Sequence, residues 1–195
     1  MATEVLEEAT EPGLTRRRAT VEEFWSLPET VLPVEYVNGE IIMAPTPTPE
    51  HQDVSINMSS TLHQFVRRGG TGKIFYAPLD VVLPTGEVVQ PDILFLPVKQ
   101  AGRAMSGKRV YGAPPFVVEI LSPGSVAHDA LTKRELYERN GVREYWIVNA
   151  KTRSITQLVL RKKHYVVSEL GEGDTIKSVV LEGFEMNVGE LMGRK

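Results

Sequence analysis

Two short apolar runs each carry one carboxylate: Gln90-Pro91-Asp92-Ile93-Leu94-Phe95-Leu96 and Pro115-Phe116-Val117-Val118-Glu119-Ile120-Leu121. An ionised carboxylate in or beside a buried strand is costly unless something compensates its charge. Glu119 is enclosed by branched and aromatic residues, the pattern of a strand covered on both faces, so a positive group is expected against it. A divalent ion shared by Asp92 and Glu119, with Lys133 as a further cation, would meet that need and is the chemistry of a metal-dependent nuclease. Mg²⁺ (or Mn²⁺) suits such a pair, because it takes one or two protein carboxylates and keeps positions for water and phosphate. Simpler readings stand beside each residue. Asp92 after Pro91 is also a common strand-edge aspartate, Glu119 is also half of a buried ion pair with an arginine, and Lys133 is also an exposed partner of Asp129, four residues earlier.

Three further residues are lesser candidates. His51 falls on the apolar face of a predicted helix, as either a hydrogen-bonded core histidine or a ligand. Asp80, in Pro78-Leu79-Asp80-Val81-Val82, shares a face with Asp92 if the strands form a meander. Glu40 follows a turn and is either exposed or leaning over the mouth of the sheet. Other chemistries fail on spacing. Gly69-Gly70-Thr71-Gly72-Lys73 runs from helix to strand and lacks the phosphate-loop pattern, Leu121-Ser122-Pro123-Gly124-Ser125 is not a nucleophile elbow, and there is no His-Glu-x-x-His.

The elements that must position these groups follow from local signals. Residues 1–18 pass from acidic to basic with little apolar content and read as a flexible tail, which leaves 19–195 as a single domain. Thr20-Val21-Glu22-Glu23 has capping-box spacing before a short helix, and Asn38-Gly39 between two apolar runs marks a hairpin. The prolines of Ala44-Pro45-Thr46-Pro47-Thr48-Pro49 hold the chain extended into a helix on which Val54, Met58, Leu62 and Phe65 recur until Gly69-Gly70. Three strands follow: 74–83 broken by Pro78, 92–96, and 116–121 after a polar loop. Ser125 is placed to cap a second helix ending at Gly141, and Glu144-Tyr145-Trp146-Ile147-Val148 is the next strand. Residues 154–160 and 164–169 read as a closing hairpin.

The 195 residues, 42% hydrophobic and 24% charged, suit a soluble globular protein with no membrane span, and the acidic start lacks a secretion signal. Zero cysteines exclude disulfides and thiolate metal sites, and a cytoplasmic location is expected. A net charge of −3 argues against coating nucleic acid through bulk charge. DNA contacts are then local, with candidate patches at Arg16-Arg17-Arg18, Arg67-Arg68, Lys108-Arg109 and Arg161-Lys162-Lys163.

On these residues the chain resembles the Uma2 family of restriction-endonuclease-like proteins, within the PD-(D/E)XK nuclease superfamily. The likeness spans about residues 20–190. It rests on Pro45-Thr46-Pro47 before Pro49-Glu50-His51-Gln52, on Gln90-Pro91-Asp92-Ile93, on Val118-Glu119-Ile120-Leu121-Ser122-Pro123, and on Asp129, Lys133 and Tyr137 before Gly141-Val142-Arg143-Glu144-Tyr145-Trp146. The resemblance implies an α/β (α+β) fold: a restriction-endonuclease-like αβββαβ core, its mixed sheet flanked by helices, with extra β-hairpins at both ends. It also implies Asp92 as the superfamily's aspartate and Glu119 as its acidic partner. The superfamily's lysine lies two residues after the acid, where this chain has Leu121, and Lys133 is the natural substitute. Two functions are expected from this: a Mg²⁺-dependent endonuclease hydrolysing DNA phosphodiester bonds, or a catalytically inactive nuclease fold serving as a binding or assembly module. A homodimer is also expected, since cutting two strands needs two sites or two visits.

Overall fold

The computed structural model describes residues 14–28, 32–122 and 131–193. Its first element is a strand, β1 (Thr15–Arg18), inside the segment expected to be a tail. β1 lies antiparallel to Glu40–Met43 at the edge of a sheet, and Leu14 before it is 1% exposed in the core. Its three arginines made the segment look like a solvated tail, whereas charge of this kind is how an exposed sheet edge avoids pairing with another chain.

The expected local devices are present. Thr20 caps α1 (Val21–Trp25) reciprocally: its hydroxyl accepts from Glu23 N at 3.2 Å, while Thr20 N donates to the Glu23 carboxylate at 2.6 Å. β2 (Val34–Val37) and β3 (Glu40–Met43) join through Asn38 and Gly39, whose φ values of 53° and 79° suit a type I′ turn. Thr48 caps α2 (Pro49–Gly69) by accepting from His51 N, and Gly70 ends it at φ 61°. Pro78 splits the run 74–83 into β4 (Gly72–Tyr76) and β5 (Asp80–Val82), which join different sheets. β6 (Val88–Val89) and β7 (Ile93–Pro97) follow. The stretch expected to be a polar loop contains α3 (Val98–Ala104), β8 (Met105–Ser106) and β9 (Arg109–Tyr111).

β10 (Phe116–Ile120) precedes α4 (Lys133–Arg139), which is capped by Asn140 and followed by Gly141 at φ 76°. Ser125 and Asp129, the expected cap and surface partner of this helix, lie outside the described residues. β11 (Glu144–Asn149), the hairpin β12 (Ser154–Arg161) and β13 (His164–Leu170), then β14 (Thr175–Lys177), β15 (Glu185–Asn187) and α5 (Val188–Leu191) complete the chain.

A six-stranded sheet in the order β13-β12-β11-β10-β7-β4 carries the core, with β10–β11 parallel and its other pairs antiparallel. α2, β4, β7, β10, α4 and β11 thus occur in the expected αβββαβ order. A seven-stranded sheet, β1-β3-β2-β6-β5-β9-β8, gathers the N-terminal hairpin and the strands inserted around β7. Strand alternation sorts the core into two layers. Phe116, Val118 and Ile120 pack with Val54, Met58 and Leu62 of α2, while Val117, Leu94 and Leu96 pack with Leu136 and Tyr137 of α4.

The C-terminal segment completes the α2 layer. Ile176, Leu181, Phe184, Val188 and Leu191 join that cluster, and Asn57 of α2 donates to Met192 O at 3.4 Å. Arg153 donates to Gly189 O and Gly193 O at 2.9 and 2.7 Å. Glu144, 0% exposed, fixes the same segment with no cationic partner among the described residues. Its Oε1 accepts from Trp146 Nε1 and Gln157 Nε2, each at 2.7 Å, and its Oε2 accepts from Ser178 Oγ, Val179 N and Val180 N at 2.6 to 2.9 Å. A buried carboxylate is tolerable when every lone pair is met in this way. Among the described residues, no helix is long and apolar enough to cross a membrane.

Candidate active site

Register brings the two carboxylates together. β7 and β10 pair Phe95 with Phe116, Leu94 with Val117 and Ile93 with Val118, so the next step sets Asp92 across from Glu119. Residues directly opposite in an antiparallel pair share a face, here the face of Leu94 and Val117 toward α4. The amide of Ile120, next to Glu119, donates to Asp92 Oδ2 at 2.7 Å. His51, buried in the first turn of α2, donates from Nε2 to the same oxygen at 3.2 Å. Asp92 Oδ1 has no hydrogen-bond partner among the described residues.

Glu119 is 3% exposed, and Lys133, at the start of α4, is 4% exposed. The Lys133 ammonium lies 3.0 Å from Glu119 Oε1 and equally 3.0 Å from Oε1 of Glu35, a second buried glutamate. This burial replaces the surface Asp–Lys reading, and the cation against Glu119 is a lysine rather than an arginine. Tyr137, one turn further along α4, donates to Glu119 Oε1 at 2.7 Å. Burial pushes the Tyr137 phenol well above its ordinary range, and the Glu119 charge pushes it further, so it stays protonated and acts as a donor. Glu35 also accepts from Gln90 N at 2.8 Å, which ties β2 to the residue two before Asp92.

These groups meet at one cavity of about 670 Å³, lined at its charged end by Glu35, His51, Asp92, Glu119 and Lys133. Glu40 and Asp80 are not in its lining. Glu40 faces Arg16 across the edge of the seven-stranded sheet, 3.9 Å away and 30% exposed. Asp80 accepts from Gln90 Nε2 at 2.8 Å and lies 3.5 Å from Arg109, so it reaches the cavity only through Gln90. Sequence reading overlooked Glu35, although Val34-Glu35-Tyr36-Val37 shows the same sign as Glu119, a lone carboxylate in an apolar strand. It lies three residues before the Asn38-Gly39 turn, and local sequence does not tell a buried hairpin strand from an exposed one.

Among the described residues, no group of three or more His, Cys, Asp or Glu side chains is arranged to hold a metal ion. Asp92, a lining residue whose Oδ2 is held by two donors, and Glu119 across from it are the carboxylates that could hold a hard cation.

The Uma2 family, described as "Putative restriction endonuclease", matches residues 21–189. No curated protein matches the chain. A solved structure from Anabaena variabilis, described as a putative nuclease belonging to DUF820, shares 18% identity and aligns over 89% of this chain and 97% of that one, with a TM-score of 0.75. At that identity the likeness bears on the fold alone. The family match runs from α1 to α5 and takes in every residue of the cavity's charged end, so the chain belongs to the Uma2 family.

Proposed function

We propose that this protein is a Mg²⁺- or Mn²⁺-dependent endonuclease that hydrolyses DNA phosphodiester bonds. The observation that carries the reading is the junction of Asp92, the Ile120 amide and Glu119 on one side of a cavity, with a buried lysine beside it. Asp92 and Glu119 would hold the ion, which when bound supplies positive charge and acidifies a water. His51 and the Ile120 amide fix the Asp92 carboxylate through one oxygen and leave the second for the ion. Tyr137 and Lys133 fix the Glu119 carboxylate. Lys133 also supplies the cation that the superfamily places at the position of Leu121, and a phosphate entering the cavity finds that ammonium on its floor. Glu35 holds Lys133 from the opposite side, which sets where the charge is presented.

One observation favours the second reading, a nuclease fold kept as a binding module: the Lys133 ammonium already engages two carboxylates. Calorimetric titration with Mn²⁺ and a plasmid-nicking assay separate the two. The nuclease reading expects Mn²⁺ binding that Asp92→Asn abolishes, together with nicking that requires the ion. A wild-type protein that neither binds Mn²⁺ nor nicks plasmid would leave the binding module.

A further inference from the structure

The cavity extends well beyond the carboxylates. Its further lining includes Ser55, Ile56, Ser59 and His63 of α2, together with Tyr76 and Gln90. We propose that this part is a nucleotide pocket: it receives one unpaired, unstacked nucleotide of a DNA strand and sets the adjoining phosphate against Asp92 and Lys133, so that the preferred substrate is single-stranded or locally unpaired DNA. The proposal rests on the nuclease reading and narrows it to a substrate class.

Size comes first. About 670 Å³ falls within the roughly 300–1,000 Å³ of pockets that enclose a small molecule, whereas a duplex keeps its bases stacked and paired inside a rod too wide to enter such a space. The lining matches a base. Tyr76 is 67% exposed and Ile56 62% exposed, and both belong to the cavity wall, so an aromatic ring and an aliphatic side chain are available to the flat faces of a ring system. Two lining residues carry buried polar atoms that are unpartnered among the described residues. Ser59 is 7% exposed, and neither its hydroxyl nor the buried Gln90 Oε1 has a hydrogen-bond partner among the described residues. An unmet hydroxyl and an unmet carbonyl suit a base edge, which carries donors and acceptors together.

Charge points the same way. Lys133 is the sole lysine or arginine among the described residues lining the cavity, so the interior offers no double row of cations for two phosphate backbones. One strand has a path out. The cavity stripe of α2 reaches His63, and the exposed Arg67 stands one turn further on the same face, where the next phosphate along a strand would pass.

The test compares a labelled single-stranded 12-mer, the matching duplex, and that duplex with one bulged nucleotide. Fluorescence anisotropy is read without divalent ion, and cleavage is read with Mn²⁺. The expected result is binding of the single strand and the bulge at least tenfold tighter than the duplex. Tyr76→Ala and Ile56→Trp, the latter plugging the pocket from an exposed position, should each weaken single-strand binding roughly tenfold. Neither should change duplex binding, and unfolding curves check that both variants remain folded. Equal affinity for duplex and single strand, or indifference of both folded variants, overturns the pocket. The two readings fail separately. Mn²⁺-dependent cleavage of duplex that ignores the bulge and Tyr76 removes the pocket and keeps the nuclease, whereas Tyr76-dependent single-strand binding with no cleavage of any substrate removes the nuclease and keeps the pocket.

Discussion

Replacing Lys133 with methionine keeps the stem and removes the ammonium that stands 3.0 Å from both Glu35 and Glu119. Each glutamate then loses a charge-assisted hydrogen bond worth about 1.5–3 kcal/mol, and two like charges are left in a buried site. The sum, roughly 3–6 kcal/mol, agrees with the roughly 3–5 kcal/mol lost when one member of a buried ion pair is deleted. For a chain of this size that lowers the melting temperature by roughly 6–20 °C. Denaturant unfolding followed through Trp146, which is 0% exposed while Trp25 is 38% exposed, gives the measurement. A double-mutant cycle adds the sharper result. Glu35→Gln on top of Lys133→Met should recover part of the loss, because it removes one of the two stranded charges. Lys133→Arg should recover little, since a planar fork does not replace a compact ammonium shared by two oxygens. A loss below about 1 kcal/mol with no coupling to Glu35, the behaviour of an exposed pair, would refute the buried triad.

Three other outcomes follow from the geometry. Glu144→Gln should cost more than about 2 kcal/mol in denaturant unfolding, because donors address both carboxylate oxygens and an amide presents a donor to one set of them. Thr48→Ala should cost about 1 kcal/mol by the same assay through loss of the α2 cap, with Mn²⁺ binding at Asp92 retained. Burial alone would raise the Glu87 carboxyl, but the Thr85 hydroxyl, its own backbone amide and Arg139 outweigh it and hold the group below its ordinary 4.5. A carboxyl depressed in the folded state stabilises above its unfolded value and loses that stability as pH falls through the folded one. The gap between wild type and Glu87→Gln should therefore be steady from neutral pH to about 4.5 and close below it, as read from unfolding curves across pH.

Elements with a strong local cause were legible in the sequence: the Thr20 capping box, the Asn38-Gly39 turn, the Pro49 helix start and the αβββαβ order. Those lacking one were not. α3 carries Gly102, has no side-chain cap at its start, and buries only Ala101 and Ala104, so no apolar stripe announces it. β8 and β9 run for two and three residues, and β9 joins the sheet by pairing with β5, a distant partner that no local pattern encodes. β1 hid behind its arginines. At the site, Asp92, Glu119 and Lys133 stood out by type and spacing and do meet in space. The role of Glu35 depends on β2 crossing to Gln90, a tertiary fact. Glu144 shows the limit of the rule that a buried carboxylate calls for a cation, since five neutral donors serve it instead.

The C-terminal layer bears on what happens if the chain is shortened. A cut after Lys177 takes away Ser178, Val179 and Val180, three of the donors on Glu144. The same cut strips Leu181, Phe184, Val188 and Leu191 from the back of α2. The front of that helix holds His51 against Asp92 and forms a wall of the cavity. Proteolytic trimming would thus leave every residue of the charged site in the surviving fragment and still release the helix that shapes it. On the proposed function, a clipped preparation would lose nicking through lost support, and an intact-mass measurement has to accompany any negative assay.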